Sequence, residues 1–64
     1  MTSPEVEYDP QVDAAYIRFS RNPIVRTAEI TYQLLLDYDK DGRIVGMEVL
    51  DASTQLPGDL LHSQ

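Results

Sequence analysis

The stretch from Leu34 to Leu50, LLLDYDKDGRIVGMEVL, constrains the fold more than any other part of this chain. Two apolar runs flank an acidic turn closed by glycine. The same letters satisfy a calcium-loop pattern, with Asp37, Asp39, Asp41, Gly42 and Glu48 in the required places and aliphatic Ile44 between them. The two readings are incompatible, because such a loop needs a helix on each side to aim its first and last ligands at one point. The residues before it, TAEITYQLLL, are rich in β-branched side chains and carry no helix cap. Those after it, Val45 to Val49, contain Gly46 and two valines, all poor helix formers.

A β-hairpin accounts for the segment better. Asp39-Lys40-Asp41-Gly42 supplies Asp and Gly where a tight turn wants them. If Tyr38 pairs with Arg43 across that turn, Leu36 faces Val45, Leu34 faces Met47 and Tyr32 faces Val49. Leu34, Leu36, Val45, Met47 and Val49 then share one face, with Asp37, Gly46 and Glu48 on the other. A slip by one residue would set Leu34 against Glu48 and divide the apolar set between faces. A loose surface Ca²⁺ ion between Asp37 and Glu48 is the lesser alternative, since clustered carboxylates usually form a solvated face.

The rest of the chain repeats the two-residue alternation of strands. Glu5 to Tyr8 alternates until Asp9-Pro10 breaks it, and DPQVD (Asp9–Asp13) reads as a turn in which Asp9 bonds the following backbone. Asp13 to Ser20 puts Ala15, Ile17 and Phe19 on one face, opposite Ala14, Tyr16 and Arg18. Ser20-Arg21-Asn22-Pro23 is a second turn, and Ile24 to Thr31 a further β-branched strand. After Leu50, Asp51 or Ser53 can cap one helical turn that Pro57 stops, and Asp59-Leu60-Leu61 can form another. Leu56, Leu60 and Leu61 are spaced to cover one end of a sheet. The expectation is one mainly β domain over residues 1–64, α+β at the margin. It is an antiparallel meander of four to five strands with a short C-terminal helical segment, and residues 1–4 and 62–64 are expected to be disordered.

Sixty-four residues with no cysteine exclude disulfides and thiolate zinc sites, and the single His62 cannot build a histidine site alone. Chains this small lean on other supports. One face carrying Ile17, Phe19, Leu34, Leu36, Val45, Met47 and Val49 is more than a short helix covers, so a homodimer or another protein partner is expected. A net charge of −6 repels phosphate, which argues against nucleic acid and anionic membranes. No apolar run approaches the roughly 18 residues of a membrane span, and the N-terminus lacks the features of a signal peptide, so the expected compartment is the cytoplasm. Catalytic, cofactor and metal residues are all expected to be absent. Ser3, Ser20, Ser53 and Ser63 have no histidine beside them except His62, the glycines form no phosphate loop, and no cleft for a small-molecule substrate is evident. Arg18, Arg21 and Arg26 gather near the second turn, where pairing with Glu29 or Asp13 is expected.

Two motifs at matching spacing carry a family resemblance. Tyr8-Asp9-Pro10, Asp13-Ala14 and Tyr16-Ile17 come first, followed by Asp37 through Ser53 within LLDYDKDGRIVGMEVLDAS. Together they resemble domain of unknown function family 2283 over roughly Val6 to Leu56. Met47 stands where isoleucine or valine is commoner. The resemblance implies a small bacterial or archaeal protein with no established activity. Genes of this family often lie beside those of toxin-like proteins, which implies, by association only, an antitoxin role masking a basic toxin.

Overall fold

The structure is a computed structural model that describes residues 4–62; the termini expected to be disordered fall outside it except for Pro4 and His62. Five strands form one antiparallel sheet: β1 (Glu5–Asp9), β2 (Ala14–Arg18), β3 (Arg26–Thr31), β4 (Leu34–Tyr38) and β5 (Ile44–Leu50). Two short helices follow, α1 (Ala52–Gln55) and α2 (Gly58–Leu61). The strand order is β1-β2-β5-β4-β3. Two runs of consecutive hairpins, β1–β2 and β3–β4–β5, are therefore joined by a crossing from β2 to the far edge, and β5 closes the sheet down its middle.

Turn chemistry sets the strand ends. Asp9 accepts a hydrogen bond from the Gln11 N–H at 3.0 Å, as its place before proline suggests. Ser20 Oγ does the same for the Asn22 N–H, and Thr31 Oγ1 for the Gln33 N–H. Asp13 has φ +53°, so the second strand begins at Ala14 and not at Asp13. Ile24 and Val25 precede β3, although the Val25 N–H still reaches the Tyr38 carbonyl at 2.9 Å.

The central hairpin forms, but in a different register. The Asp39 N–H donates to Arg43 O and the Gly42 N–H to Asp39 O, both at 3.0 Å. With Gly42 at φ +77°, this is a three-residue loop ending in a glycine bulge, and Tyr38 pairs with Ile44 rather than Arg43. A second irregularity between Tyr38 and Asp37 skips Val45. Leu36 then faces Met47, and Leu34 faces Val49. Two one-residue shifts add to two, and a shift of two preserves the faces. Leu34, Leu36, Met47 and Val49 accordingly share one side, as the alternation requires.

Cross-strand rows define that side. Val6, Ile17, Met47, Leu36 and Ala28 make one row, and Tyr8, Ala15, Val49 and Leu34 another. The helices sit over the second row, where Ala15, Val49, Ala52 and Leu61 are buried and Tyr8, Leu34, Met47 and Leu56 pack against them. Ile17 and Val45 are also buried. Phe19, expected in this core, is 47% exposed, because β2 ends at Arg18 and both helices lie at the opposite end of the sheet. The molecule is 16 Å thick in its shortest dimension, one sheet with a partial cover. Among the described residues no helix is long and apolar enough to cross a membrane.

Candidate functional site

Three polar constellations organise the surface. The first joins the start of β2 to α1. Asp13 accepts hydrogen bonds from the Tyr8 hydroxyl (2.7 Å), the Ser53 N–H (3.0 Å) and the Ser53 hydroxyl (2.7 Å), while its carbonyl accepts from the Ala52 N–H. Asp51 takes the N-cap position of α1 but its side chain makes no capping bond, and Ser53 lies within the helix. Asp51 sits at φ +53° with its carboxylate bonded by the Gln33 side-chain amide, and the capping carboxylate comes from 40 residues away. Hydrogen bonds from Tyr8, then Ser53, hold the Asp13 carboxyl below its ordinary range, and the same bond to Asp13 raises Tyr8. His62 closes α2 through its N–H to Gly58 O, with its ring edge-on to Tyr8 at 6.2 Å.

The second lies on the sheet face away from the helices. There the rows run Glu5, Arg18, Gly46, Asp37, Thr27 and Glu7, Tyr16, Glu48, Leu35, Glu29. Tyr16 leaves its own row, and its hydroxyl crosses above Gly46 to donate to Asp37 at 2.7 Å. A Cβ on residue 46 would stand 1.8 Å from that hydroxyl oxygen, so glycine is required by close approach. Thr27 donates to the other Asp37 oxygen at 2.6 Å. Burial, then the bond to Asp37, pushes Tyr16 up to about 12. At neutral pH Tyr16 is therefore a donor and not a base.

The third is the central turn. Asp39 is only 6% exposed and accepts from the N–H groups of Asp41 (2.9 Å) and Arg43 (3.0 Å) and from the Asn22 amide (3.2 Å). The Arg43 N–H, then Asn22, hold its carboxyl below the ordinary range. Asp37 and Asp39, the first two positions of the calcium-loop pattern, thus have their oxygens engaged by the chain itself. Asp37 lies opposite Gly46 and Glu48 opposite Leu35, and among the described residues no three metal-ligating side chains converge. Serine and histidine are not brought together as a nucleophile and base either: Ser53 is bound to Asp13, Ser20 to a backbone N–H, and Ser3 and Ser63 lie outside the described residues.

The arginines find other partners than those expected. Arg21 pairs with Glu5 at 2.6 Å, Arg18 lies over the Tyr16 ring at 5.3 Å, and Arg26 lies over the Tyr38 ring at 4.1 Å. Asp13 is already taken by Tyr8 and Ser53, and a flat ring lies beside each guanidinium group, Tyr16 on Arg18's own strand and Tyr38 across from Arg26 on the next. A shallow open depression of about 460 Å³ lies between β1 and β5, lined by Glu7, Pro10, Tyr16 and Glu48 among others. General acid–base work wants pKa values near the operating pH. Here Tyr8 and Tyr16 shift up, and Asp13 and Asp39 shift down, each away from neutrality.

Several large apolar side chains are exposed. Phe19, Ile24, Val25 and Ile44 are exposed at the end of the sheet away from the helices, and Ile30 and Tyr32 along and beyond β3. The Phe19 N–H bonds Val45 O, Ile44 pairs with Tyr38, and Val25 bonds Tyr38, so these side chains follow one another along that end. The face away from the helices carries Glu5, Glu7, Asp9, Glu29, Asp37 and Glu48 against Arg18.

The links from Tyr8 through Asp13 to Ser53, and from Tyr16 across Gly46 to Asp37, join residues of the two motifs that carry the family resemblance. No curated protein and no solved structure matches the chain. Residues 5–53 do match a family model described as a protein of unknown function, DUF2283, and the chain belongs to that family.

Proposed function

We propose that the protein is a non-enzymatic protein-interaction module that works as a homodimer through the part of its sheet the helices leave uncovered. The observation that carries this reading is the group of exposed apolar side chains Phe19, Ile44, Val25 and Ile24 at one end of the sheet of a 64-residue chain. Contiguous exposed apolar surface on a small protein marks an interaction site. The compartment proposed is the cytoplasm, consistent with a fold held together without disulfides. Light scattering on the purified protein tests the reading, with a particle of twice the 7.3 kDa chain expected. A monomer that binds no apolar dye would overturn it.

The acidic face favours a second reading, an antitoxin-like protein that masks a basic partner encoded next to it. Six carboxylates, with Arg18 among them and Arg21 paired to Glu5, would complement such a surface and speed its capture. Co-expression with the neighbouring gene product tests this. A stable complex that relieves toxicity supports it, and free components with undiminished toxicity refute it.

A further inference from the structure

Charge is divided along the strands. The chain has five lysines and arginines against eleven carboxylates, and all five cations stand at one end of the sheet. Arg18 closes β2, Arg26 opens β3, Arg21 lies on the crossing between them, and Lys40 and Arg43 lie in the turn from β4 to β5. Only four carboxylates share that end, Glu5, Asp37, Asp39 and Asp41, so its side chains sum to a formal charge of +1. The other seven lie from the row of Tyr16 to the helices, where no lysine or arginine occurs.

The end that holds the cations also holds the exposed group Phe19, Ile24, Val25 and Ile44. Three of its four carboxylates are engaged within the chain: Glu5 by Arg21, Asp37 by Tyr16 and Thr27, and Asp39 by the N–H groups of its own turn. Asp41 remains, exposed in one turn with Lys40 and Arg43 and next to Ile44. Apolar side chains accompanied by charges of both signs are what a self-complementary contact needs, an apolar centre with a polar rim.

A chain with a net charge of −6 repels its own copies over most of its surface. Approach through this end brings two nearly neutral surfaces together and leaves the carboxylate-rich ends at opposite poles. A two-fold contact at the helix end, or on the sheet face that carries six carboxylates, would set carboxylate against carboxylate. A head-to-tail contact would seat the apolar group against carboxylates and leave the series of copies open.

From this segregation we propose that a second copy of the chain binds end to end about a two-fold axis. Phe19, Ile24, Val25 and Ile44 form the centre of the contact, and Lys40 and Arg43 of one copy face Asp41 of the other. The inference rests on the homodimer reading above and fixes how the two copies are oriented.

The chain has no cysteine, so single introduced cysteines report which parts of two copies are neighbours. Phe19→Cys and Ile44→Cys mark the proposed contact; Val12→Cys and Tyr32→Cys, at positions 67% and 72% exposed in turns at the helix end, mark the opposite pole. Neighbours within a complex meet at a millimolar effective concentration. At micromolar protein, a short bifunctional maleimide should therefore link the faster of the first pair about a hundredfold faster than either of the second. Circular dichroism checks that each variant keeps the sheet, and light scattering gives the size of the wild type. A wild-type dimer with equal linking at both poles, or faster linking at Val12→Cys or Tyr32→Cys, overturns the end-to-end contact while the homodimer reading stands. Faster linking in a mixture of Phe19→Cys and Val12→Cys than in either alone shows head-to-tail association and overturns it too. A monomeric wild type overturns both. Amide hydrogen exchange on the wild type answers even where a variant fails to fold. Protection of residues 19–25 and 39–44 should rise with protein concentration while that of α1 and α2 stays constant, and concentration-independent exchange in both segments overturns the proposal.

Discussion

Replacing Gly46 by alanine should destabilise the fold, although alanine is normally the better strand residue. In an unremarkable strand position the change would gain about 0.5–1 kcal/mol from reduced backbone freedom in the unfolded chain. Here the new Cβ would lie 1.8 Å from the Tyr16 hydroxyl oxygen and 2.4 Å from Cζ, so the ring must swing away. The 2.7 Å bond to Asp37 is then lost, and hydrogen bonds to charged groups contribute about 1.5–3 kcal/mol. The two effects leave Gly46→Ala about 1–2 kcal/mol less stable, a fall in Tm of roughly 4–16 °C for a domain of this size. Thermal and urea unfolding in three backgrounds isolate the cause. In Tyr16→Ala the obstruction is gone, and Gly46→Ala should stabilise. In Tyr16→Phe the hydroxyl is gone but the ring carbons still block the Cβ, so Gly46→Ala should destabilise by strain alone. An equal loss in the wild-type and Tyr16→Ala backgrounds would show that Tyr16 is not what requires glycine.

Other constellations yield their own outcomes. Asp13→Ala should lower Tm and speed amide exchange throughout α1, because Ser53 loses its acceptor and Tyr8 its partner; exchange unchanged in α1 would contradict the non-local cap. Stability should fall at both pH extremes. Asp13 and Asp39 lie below their ordinary 3.8, so their contribution is complete above that value and lost as pH falls through their folded values. Tyr16 is raised from 10.0 to about 12, so its contribution is complete below 10.0 and lost as pH rises towards 12. Asp39→Asn should flatten the acid limb of a Tm-against-pH curve and Tyr16→Phe the alkaline limb; curves identical to wild type would contradict these assignments. Millimolar Ca²⁺ should leave Tm unchanged, and a rise of several degrees that Asp41→Ala abolishes would restore the calcium reading.

The strands were legible because alternation is a local signal. Each residue's side of the sheet follows from parity, and parity survived the register difference in the central hairpin. The glycine bulge at Gly42 and the skipped residue at Val45 each displaced the pairing by one, and neither is marked by a pattern that period two can detect. The cap of α1 was not legible for a different reason. Asp51 and Ser53 stand where a local cap belongs, but the left-handed backbone at Asp51 turns it away, and the acceptor arrives from Asp13 through the pairing of β2 with β5. Gly46 likewise reads as a poor helix residue in isolation. Its requirement comes from Tyr16, thirty positions earlier, on a strand that becomes its neighbour only through the crossing from β2 to β3.

That crossing also bears on where function resides. Because β5 inserts between β2 and β4, the β1–β2 hairpin is attached to the rest of the sheet along a single strand boundary. Both side-chain links from Tyr8 through Asp13 to Ser53 and from Tyr16 to Asp37 span that boundary, one on each side of the sheet. The residues through which the chain resembles its family are therefore engaged in holding two hairpins together. β3, with Ile24, Val25, Ile30 and Tyr32, lies between the two motifs and takes part in neither. The residues that carry family membership and the β3 edge are thus separable in this fold. The motifs can persist while the β3 edge changes, because an edge strand contributes its outer row to no neighbour within the chain. Substitutions at Ile24, Val25 and Ile30 should accordingly leave the Tyr16–Asp37 and Asp13–Ser53 links intact, and substitutions at those links should lower stability first.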